Sequence, residues 1–374
     1  MSLTRRQTLA LVGGGVIAAA GVTATGFALT RTPEKALAPW GLAGSYGEAR
    51  RDALSYAILA PNSHNLQPWL VELVGEDEVV LHVDRTRLLP ETDPLDRQIT
   101  ISLGCFLEQL RLAATATGHA VDITPFPEGE PDGRLDDRLV ARAVFRPGAT
   151  PDPLLPAIVE RRSAKVPYDM ERVPDTAPFT GPDLATDGTT DPARVAALRD
   201  LCWASWRVES STPAKHMESV NVMRLGKAEI EANPDGIELG GPMLEALMLA
   251  GLVTRDQLAT PGTTAYEQGV AMYSAMITGT PAFVWINTAG NARVDQLEAG
   301  RRWLRLNLAT TQAGLGLHPM SQCLQEYPEM AEHYAAAHDM LAAPGETVQM
   351  LGRLGHAGPV PQTPRWSLDA KIRT

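Results

Sequence analysis

The sequence is short of cysteine and of positive charge. Its 374 residues contain three cysteines, Cys105, Cys202 and Cys323, and no two of them have C-x-x-C spacing. This excludes a disulfide framework and a cysteine-based zinc site. Lysines and arginines number 33 against 44 aspartates and glutamates, which gives a formal net charge of −11. Nucleic-acid binding is therefore not expected, because it needs a basic face, whereas a basic pocket for one small anion stays open.

Signatures of several other protein classes are also absent. Hydrophobic residues make up 44% of the chain and charged residues 21%, which is typical of a folded globular protein and not of a disordered or multi-span membrane chain. No glycine fingerprint of a dinucleotide-binding domain is present. His333 and His338 are five residues apart and do not face one ligand position on a helix, so no metal site is predicted. The length predicts two domains or one elaborated domain.

The first thirty residues are typical of an export signal. Arg5 and Arg6 precede an uncharged run rich in alanine, glycine, valine and leucine that reaches Leu29. This is the twin-arginine pattern, and a buried core helix after a chance arginine pair is the alternative. We predict export by the twin-arginine machinery to the periplasm or cell envelope. A run of about twenty apolar residues can also span a bilayer, so retention as a membrane anchor is the alternative to cleavage.

The rest of the chain is predicted to form a linker over 31–46 and two halves over 47–150 and 151–374. For the first half, hydrophobic periodicity predicts helices and strands at 47–59 (helix), 69–74 and 79–83 (a strand hairpin), 96–118 (helix) and 140–145 (strand). For the second half it predicts elements at 153–162 (helix), 281–286 (strand) and 292–313 (helix), with a mostly irregular end over 352–374. A stretch rich in methionine and glycine near 209–268 is predicted to be a lid, with Met243 and Met248 on its inner surface.

Two long predicted helices show an internal echo. The five pairs with a common offset of 196 residues are Gly104 and Gly300, Leu110 and Leu306, Leu112 and Leu308, Ala113 and Ala309, and Gly118 and Gly314. A duplication and a chance match between amphipathic helices both account for them. Arg50-Arg51 echoes Arg161-Arg162 at a different offset. If both echoes are real, the second copy carries an insertion.

The string Ala60-Pro61-Asn62-Ser63-His64-Asn65-Leu66-Gln67-Pro68-Trp69 joins a predicted helix to a predicted strand. It offers fixed neutral donors and acceptors without a strong nucleophile or a metal cluster. This combination suits recognition of a flat polar heterocycle. For Asn62 or Ser63 alone, a capping turn is the alternative.

This string resembles the Pro-Ser-x-x-Asn-x-Gln-Pro-Trp motif of the nitroreductase superfamily of flavin mononucleotide (FMN) enzymes, with Asn62 in place of the usual serine. Residues 160–165, Glu-Arg-Arg-Ser-Ala-Lys, are similar to the family's Arg-Arg-Ser-x-Arg/Lys signature. Residues 314–320 are similar to its Gly-Leu-Gly turn, and Arg365 lies where the family keeps a phosphate-binding basic residue.

The order of these motifs departs from the ordinary family member, in which the arginine signature comes first and two chains share each flavin site. The combination resembles the Acg-like branch, in which two nitroreductase halves are fused. The resemblance implies an α+β fold of two related halves, each with an antiparallel sheet flanked by helices, as an internal pseudo-dimer. It also implies one FMN per chain, with no homodimer required to build the site.

The resemblance further implies a set of cofactor-binding residues. Arginine and lysine side chains would bind the FMN phosphate through charge-assisted hydrogen bonds. A solvated helix-end patch is the alternative for Arg161 or Arg162 alone. The loop would border the ring and ribityl chain, and the backbone at 320–322 would approach flavin N5. The implied residues are Pro61, Asn62, Ser63, Asn65, Arg161, Arg162, Ser163, Lys165, Gly316, Met320, Ser321 and Arg365.

No catalytic side chain is assigned, because the flavin would carry the chemistry. The predicted activity is ping-pong hydride transfer from a small-molecule donor, through flavin N5, to a quinone, a nitroaromatic compound or a similar acceptor. The alternative is a flavin-sequestering protein with a closed lid and little turnover, because reduced nicotinamides are scarce outside the cytoplasm and a tight lid would exclude a second substrate.

Overall fold

The computed structural model describes residues 30–373 and Phe27. The predicted export signal therefore lies almost entirely outside the described residues. The linker predicted over 31–46 is wrong in part, because it contains helix α1 (Glu34–Gly41). Pro39 cannot donate a backbone hydrogen bond inside this helix. Burial of Ala36 and Trp40 compensates, and the Trp40 indole donates to the Thr363 carbonyl at 2.8 Å.

The first half contains one antiparallel sheet, and its predicted elements are confirmed. In chain order they are α2 (Ala49–Ala57), β1 (Trp69–Val74), β2 (Glu78–Val83), α3 (Arg97–Ala114), β3 (His119–Pro125) and β4 (Ala141–Pro147). Strand β3, which was not predicted, completes the order β1-β2-β4-β3. Trp69 faces Val83 in the β1–β2 register, and alternate side chains such as Val71 and Leu81 enter the core.

The second half contains another antiparallel sheet and a long insertion. Its elements are β5 (Asp187–Thr189), α4 (Pro192–Ser211), α5 (Pro213–Asn221), β6 (Met223–Leu225), α6 (Gly226–Ala232), β7 (Ile237–Leu239), α7 (Pro242–Leu249), α8 (Arg255–Ala259), α9 (Thr264–Thr278), β8 (Ala282–Thr288), α10 (Arg293–Gln312), β9 (Gly316–Pro319), α11 (Ala331–Leu341) and β10 (Thr347–Gly355). The sheet order is β5-β8-β10-β9, and residues 190–281 form the insertion between its first two strands. The predicted strand over 281–286 and helix over 292–313 are confirmed as β8 and α10.

One prediction for the second half is wrong, and another is confirmed over a shorter range. Residues 153–162 form a single 3-10 turn, Leu155–Ala157, and no helix. The physical reason is that Pro153 and Pro156 lack backbone donors, and the chain beyond them pairs with β9 through a bridge between Ser163 and Leu317. The mostly irregular end predicted over 352–374 is confirmed, except that its first four residues, 352–355, belong to β10.

The two halves have the same strand order, and their long helices α3 and α10 cross at two equivalent glycines. A Cβ atom on Gly104 would lie 2.2 Å from the Leu297 carbonyl oxygen, and one on Gly300 would lie 2.1 Å from the Ile101 carbonyl oxygen. Ile101 and Leu297 differ by the same 196 residues as the two glycines. The contact is therefore reciprocal, as expected for a pseudo-two-fold axis between duplicated halves. It supports the predicted pseudo-dimer and explains why neither glycine carries a side chain.

Two buried arginines at the start of these helices bind across the same axis. Arg97 donates to the Gln349 carbonyl at 2.8 Å and to the Leu324 carbonyl, both in the second half. Arg293, again 196 residues later, donates to the Leu95 carbonyl in the first half at 2.6 Å. Each half thus supplies an arginine that donates hydrogen bonds to backbone carbonyl groups of the other half. These buried hydrogen bonds fix the two halves against each other.

Candidate functional site

The loop between α2 and β1 has an unusual backbone. His64, Asn65 and Gln67 have φ values of 49°, 55° and 54°, which non-glycine residues rarely adopt. The Asn62 side chain holds this conformation, because its Oδ1 accepts from the Gln67 N–H at 2.7 Å and its Nδ2 donates to the Ala60 carbonyl at 3.0 Å. Such clustered backbone strain is typical of functional loops. The Asn62 side chain therefore has a structural role, because its hydrogen bonds stabilise the strained loop.

Asn65 and Gln67 tie this loop to distant parts of the chain. The Asn65 side chain donates to the Pro364 carbonyl at 3.1 Å and accepts from Arg365. Gln67, which is fully buried, donates to the Pro234 carbonyl of the insertion at 2.7 Å and accepts from the Trp366 N–H at 2.9 Å. The loop therefore contacts both the insertion and the C-terminal segment, and its amides serve mainly to position it.

Three arginines meet beside the loop. Arg161 and Arg365 are 3% exposed, and their Nη2 atoms donate to the same Leu59 carbonyl, at 3.1 Å and 3.2 Å. The guanidinium carbon of Arg162 lies 4.7 Å from the centre of a Trp40 ring, and that of Arg365 lies 5.4 Å from it. The sequence-predicted basic residues from positions 161, 162 and 365 are thus brought to one place, and we call them the arginine cluster.

The arginine cluster has no acidic partner within residues 30–373. None of its three members forms an ion pair among the described residues, and the Nε atoms of all three are buried without an acceptor. Burial lowers the pKa of Arg161 to about 10 and that of Arg365 to about 9, in both cases with help from the neighbouring arginines. Glu238 opposes this effect on Arg365, but from beyond ion-pair distance. Since buried positive charges need a counter-charge, the cluster fits a small anion such as a phosphate.

The members of the cluster differ in the donors they keep. The terminal nitrogens of Arg365 already bind Asn65, Thr363 and the carbonyls of residues 59, 60 and 364, so only its Nε is left. Arg161 uses only Nη2, and Arg162 uses only Nη1, which donates to the Val159 carbonyl at 2.8 Å and to the Arg161 carbonyl. Arg365 therefore acts mainly as a clamp on the loop, whereas Arg161 and Arg162 keep free donors for a ligand.

The third sequence motif, around β9, lies beside the second. The Ala164 N–H donates to the Leu317 carbonyl at 3.2 Å, and a Cβ atom on Gly316 would lie 2.8 Å from the Ala164 methyl group. Lys165 is exposed, and its charge adds to burial in lowering the pKa of both His64, to about 4, and His318. Arg161 of the second motif binds the Leu59 carbonyl at the start of the loop, and Ala164 binds Leu317 of β9, so the three predicted motifs lie next to one another.

The segment predicted to approach flavin N5 is only partly available. Met320 has its side chain in the core and its N–H bound to the Leu351 carbonyl at 2.8 Å, so it offers no free donor. The N–H of half-buried Ser321 has no hydrogen-bond partner among the described residues. Pro61 is buried, and the Ser63 hydroxyl lies 3.2 Å from His64 Nδ1. Among these residues, the Ser321 amide is left without a partner in the described part of the chain, and the Ser63 hydroxyl keeps capacity for a further hydrogen bond beside its contact with His64.

The insertion lies over the loop and is held there by a buried aspartate that sequence reasoning missed. Asp235 is 2% exposed, pairs with Arg87 of the first half and Arg224 of the insertion, and accepts from the Trp366 indole at 2.8 Å. The Gly236 N–H next to it donates to the Asn65 carbonyl at 3.1 Å. The Asn-Pro-Asp-Gly sequence at 233–236 predicts only a turn, so no sequence signal marked this contact.

A second missed residue, Glu209, is buried within the insertion, on α4. Its carboxylate accepts from Gln325 Nε2 at 2.8 Å and lies 3.5 Å from the Ser219 hydroxyl, which in turn lies 3.3 Å from His64 Nε2. Burial raises the pKa of Glu209 to about 7, although Gln325 and Ser219 oppose the shift. The insertion thus brings a carboxyl group that titrates near neutral pH within two contacts of the loop.

The prediction that Met243 and Met248 line the inner surface of a lid is wrong for Met243. Met243 is 80% exposed and Leu249 is 78% exposed, so both face outward, whereas Met248 is half-buried. Inside the insertion, packing comes instead from a stack in which the Trp203 and Trp206 rings are 5.4 Å apart and the Trp206 and Tyr273 rings are 4.7 Å apart. Aromatic rings on α4 and α9 therefore occupy the interior that the methionines were expected to fill.

No family model matches the chain. It is 35% identical over 126 residues to "Uncharacterized protein Rv3127" of Mycobacterium tuberculosis, a match that covers 32% of this chain and 35% of that protein. It is 28% identical over 181 residues to "Putative NAD(P)H nitroreductase acg" of the same organism, covering 46% and 49%. The chain thus spans half or less of the length of these first curated relatives.

A longer match is to "Putative NAD(P)H nitroreductase Rv3131" of M. tuberculosis, which is 25% identical over 338 residues, 87% of this chain and 91% of that protein. The solved nitroreductase-type protein from Anabaena variabilis aligns with 80% of this chain and 82% of its own at 13% identity, with a TM-score of 0.41. The names of the sequence relatives support a relationship with the nitroreductase superfamily.

Proposed function

We propose that the protein is an FMN-dependent oxidoreductase of the nitroreductase type. The observation that carries this proposal is the arginine cluster beside a strained amide-rich loop and β9: Arg161 and Arg365 are buried, and no member has an acidic partner in the described part of the chain. The curated relatives named as NAD(P)H nitroreductases support the same class of activity. A phosphate-bearing heterocycle is the kind of ligand that needs both the positive charge and the polar loop.

Arg161 and Arg162 would hold the FMN phosphate, since they keep guanidinium donors that no described residue accepts. Arg365 would hold the loop in its strained conformation through Asn65 and the carbonyls at 59 and 60. When bound, FMN would supply hydride transfer between a small-molecule donor and an acceptor such as a quinone or a nitroaromatic compound, in ping-pong order. The Ser321 N–H and the Ser63 hydroxyl would orient the polar edge of the ring.

The leader over residues 1–30 supports export to the periplasm or cell envelope through the twin-arginine machinery. Because that route carries folded proteins, the cofactor would be bound before export. Reduced nicotinamides are scarce outside the cytoplasm, so a different two-electron donor is expected there. The acidic surface, with its net charge of −11, agrees with small-molecule partners and not with nucleic acid.

The second candidate function, flavin sequestration with little turnover, is favoured by the fixation of the insertion. Gln67 binds the Pro234 carbonyl, the Asn65 carbonyl accepts from Gly236, and Asp235 pairs across the seam with Arg87. Opening the insertion would break all three contacts together. A tightly closed insertion would retain the flavin and exclude a second substrate.

An absorbance spectrum with anaerobic reduction separates these functions. We expect purified protein, or protein incubated with FMN, to show bound flavin absorbance, and the bound flavin to be reduced by a small donor and reoxidised by a quinone or nitroaromatic compound. Protein that binds FMN but shows no redox cycling would favour sequestration. Colourless protein that does not bind added FMN would contradict both functions.

A further inference from the structure

The segment from Pro242 to Leu252 is apolar yet faces away from the protein. Its sequence is Pro-Met-Leu-Glu-Ala-Leu-Met-Leu-Ala-Gly-Leu, and four of the twelve large apolar side chains that are exposed among the described residues belong to it. They are Met243 (80% exposed), Leu247 (38%), Leu249 (78%) and Leu252 (59%). We call this surface the α7 face. An apolar patch concentrated on one short helix and its following turn marks an interaction site more often than a chance exposure.

The only charged residue of the segment points inward. Glu245 is 7% exposed, accepts from the Lys227 N–H at 3.2 Å and pairs with Arg31 at 3.3 Å. The outward side of the segment therefore carries no charge at all. An outward apolar side and an inward carboxylate are the reverse of the arrangement expected for a helix exposed only to water.

The contacts of Glu245 also place the N-terminal segment. Arg31 pairs with Glu245, and the Lys227 ammonium group donates to the Thr30 carbonyl at 3.1 Å. The 29 residues before Thr30 include the uncharged run that reaches Leu29. This uncharged run thus joins the described structure next to the helix that carries the α7 face. A single apolar environment that accepts both the N-terminal run and the α7 face would explain why they lie next to each other.

We propose that the α7 face rests on a lipid bilayer, at the point where the N-terminal segment enters it. A bilayer interface accepts an apolar helix face of this kind lying in its plane. None of the helices between Thr30 and Arg373 is long and apolar enough to cross a membrane, so α7 would lie on the surface. The proposal does not depend on flavin binding, because no member of the arginine cluster or of the loop belongs to α7.

The charge of the protein narrows the kind of lipid. The net charge is −11, and the α7 face offers no cationic cluster. Anionic lipids would therefore repel the protein, and apolar contact must drive the association. We expect the α7 face to bind vesicles of neutral phosphatidylcholine, with little dependence on salt concentration, because apolar contacts are not screened by ions.

The test uses one fluorophore on the full-length chain. All three native cysteines are buried, so Leu249→Cys can be labelled selectively with an environment-sensitive dye. With phosphatidylcholine vesicles we expect a blue shift and quenching by a lipid-borne quencher. Val173→Cys, which is 55% exposed and lies outside the insertion, is the matched control and should show neither change. Adding Met243→Glu and Leu252→Glu to the labelled chain should abolish the response at position 249 while the control position stays unchanged.

Three results would overturn the proposal. If the emission of the dye at position 249 does not change when vesicles are added, the α7 face does not contact lipid. A blue shift already present without vesicles, and independent of protein concentration, would show that the chain's own N-terminal run covers the face. A blue shift that grows with protein concentration in the absence of vesicles would show that a second copy covers it. Retained circular dichroism in the glutamate variants separates each of these from misfolding.

Discussion

The two halves of the molecule have the same strand order and reciprocal helix contacts, but their arginine pairs have different partners. In the first half, Arg50 binds Glu48 at 2.9 Å and Arg51 pairs with Asp369. In the second half, Arg161 and Arg162 have no carboxylate within ion-pair distance among the described residues. Under the proposed function, only the second pair would be available to an anion, because acidic side chains already neutralise the first. This difference would give the chain one FMN site and not two.

The halves also differ at the connection between their first two strands. In the first half, three residues, 75–77, join β1 to β2, and in the second half residues 190–281 join β5 to β8. The insertion reaches across the pseudo-two-fold axis and contacts the loop of the first half at Asn65 and Gln67. The second half, whose Arg161 and Arg162 lack an acidic partner among the described residues, therefore also supplies the insertion that covers the loop.

The largest effect is expected where the halves are most alike. Gly300→Ala would place a methyl group 2.1 Å from the Ile101 carbonyl oxygen and 2.8 Å from the Cα atom of Gly104. Both are backbone atoms, so the helices must move apart. We expect the free energy of unfolding to fall by about 3 kcal/mol or more in urea titrations.

Gly269→Ala is the matched control, because Gly269 is also helical and has no atom within 4 Å of its would-be side chain. It should leave stability unchanged or raise it by up to about 1 kcal/mol. Equal effects of the two substitutions would contradict the close crossing of α3 and α10.

The next largest effect separates the two arginine pairs. Each charge-assisted hydrogen bond contributes about 1.5–3 kcal/mol, so Arg161→Ala with Arg162→Ala should raise the Kd for FMN at least about a hundredfold. Arg50→Ala with Arg51→Ala should change it less than about threefold, since those side chains are already paired. Fluorescence titration of apo-protein with FMN measures both. Equal losses in the two variants would show that the unpaired state of the second pair is not what makes the site.

A smaller effect concerns the carboxyl group that the insertion buries. Burial raises the pKa of Glu209 to about 7, so the folded chain holds a proton that the unfolded chain releases at lower pH. Stability is therefore lost as the pH rises from about 5 to about 8, by roughly 2 kcal/mol for this group. Glu209→Gln should remove that part of the pH dependence in urea titrations.

The control for this titration is Glu267→Gln, which changes an exposed glutamate of α9. Its stability should follow the pH dependence of the unchanged protein. If the Glu209 variant also does so, the carboxyl group is not protonated in the folded chain at neutral pH.

The smallest effect concerns the fixation of the insertion. Asp235→Asn would weaken the pairs with Arg87 and Arg224 while keeping the size of the side chain. We expect a cost of roughly 1 kcal/mol, seen as faster hydrogen exchange across 219–236 and an FMN dissociation rate raised roughly fivefold. Asp256→Asn, an exposed change in α8, should alter neither. Unchanged exchange in the Asp235 variant would show that the insertion is held by other contacts.

The local elements could be predicted because their signals lie within short stretches of sequence. Alternating apolar residues marked β1 and β2, and a long apolar stripe ending at Gly118 marked α3. The echo between Gly104 and Gly300 also carried a real contact, because a tight helix crossing demands glycine from both sides. Residues 153–162 were misjudged, since a sheet contact at Ser163 overrides the local helical pattern.

The individual motifs of the site were predictable, but the long-range contacts that connect them were not. The loop and the arginines had recognisable sequence patterns. By contrast, the roles of Arg365, Asp235 and Glu209 depend on contacts that span about 100 to 300 residues, and no local pattern encodes them. The orientation of α7 was predicted wrongly for a related reason. An apolar helix is expected to be buried against protein, and its periodicity does not show which side of the helix packs against the rest of the molecule.

Under the proposed function, one chain holds one complete FMN site, built from the loop of the first half and the arginine pair of the second. The most direct measurement is native mass spectrometry of apo-protein titrated with FMN, which gives oligomeric state and stoichiometry together. We expect the titration to saturate at one FMN per monomeric chain. Two FMN per chain, FMN bound only to dimers, or no binding at all would contradict it.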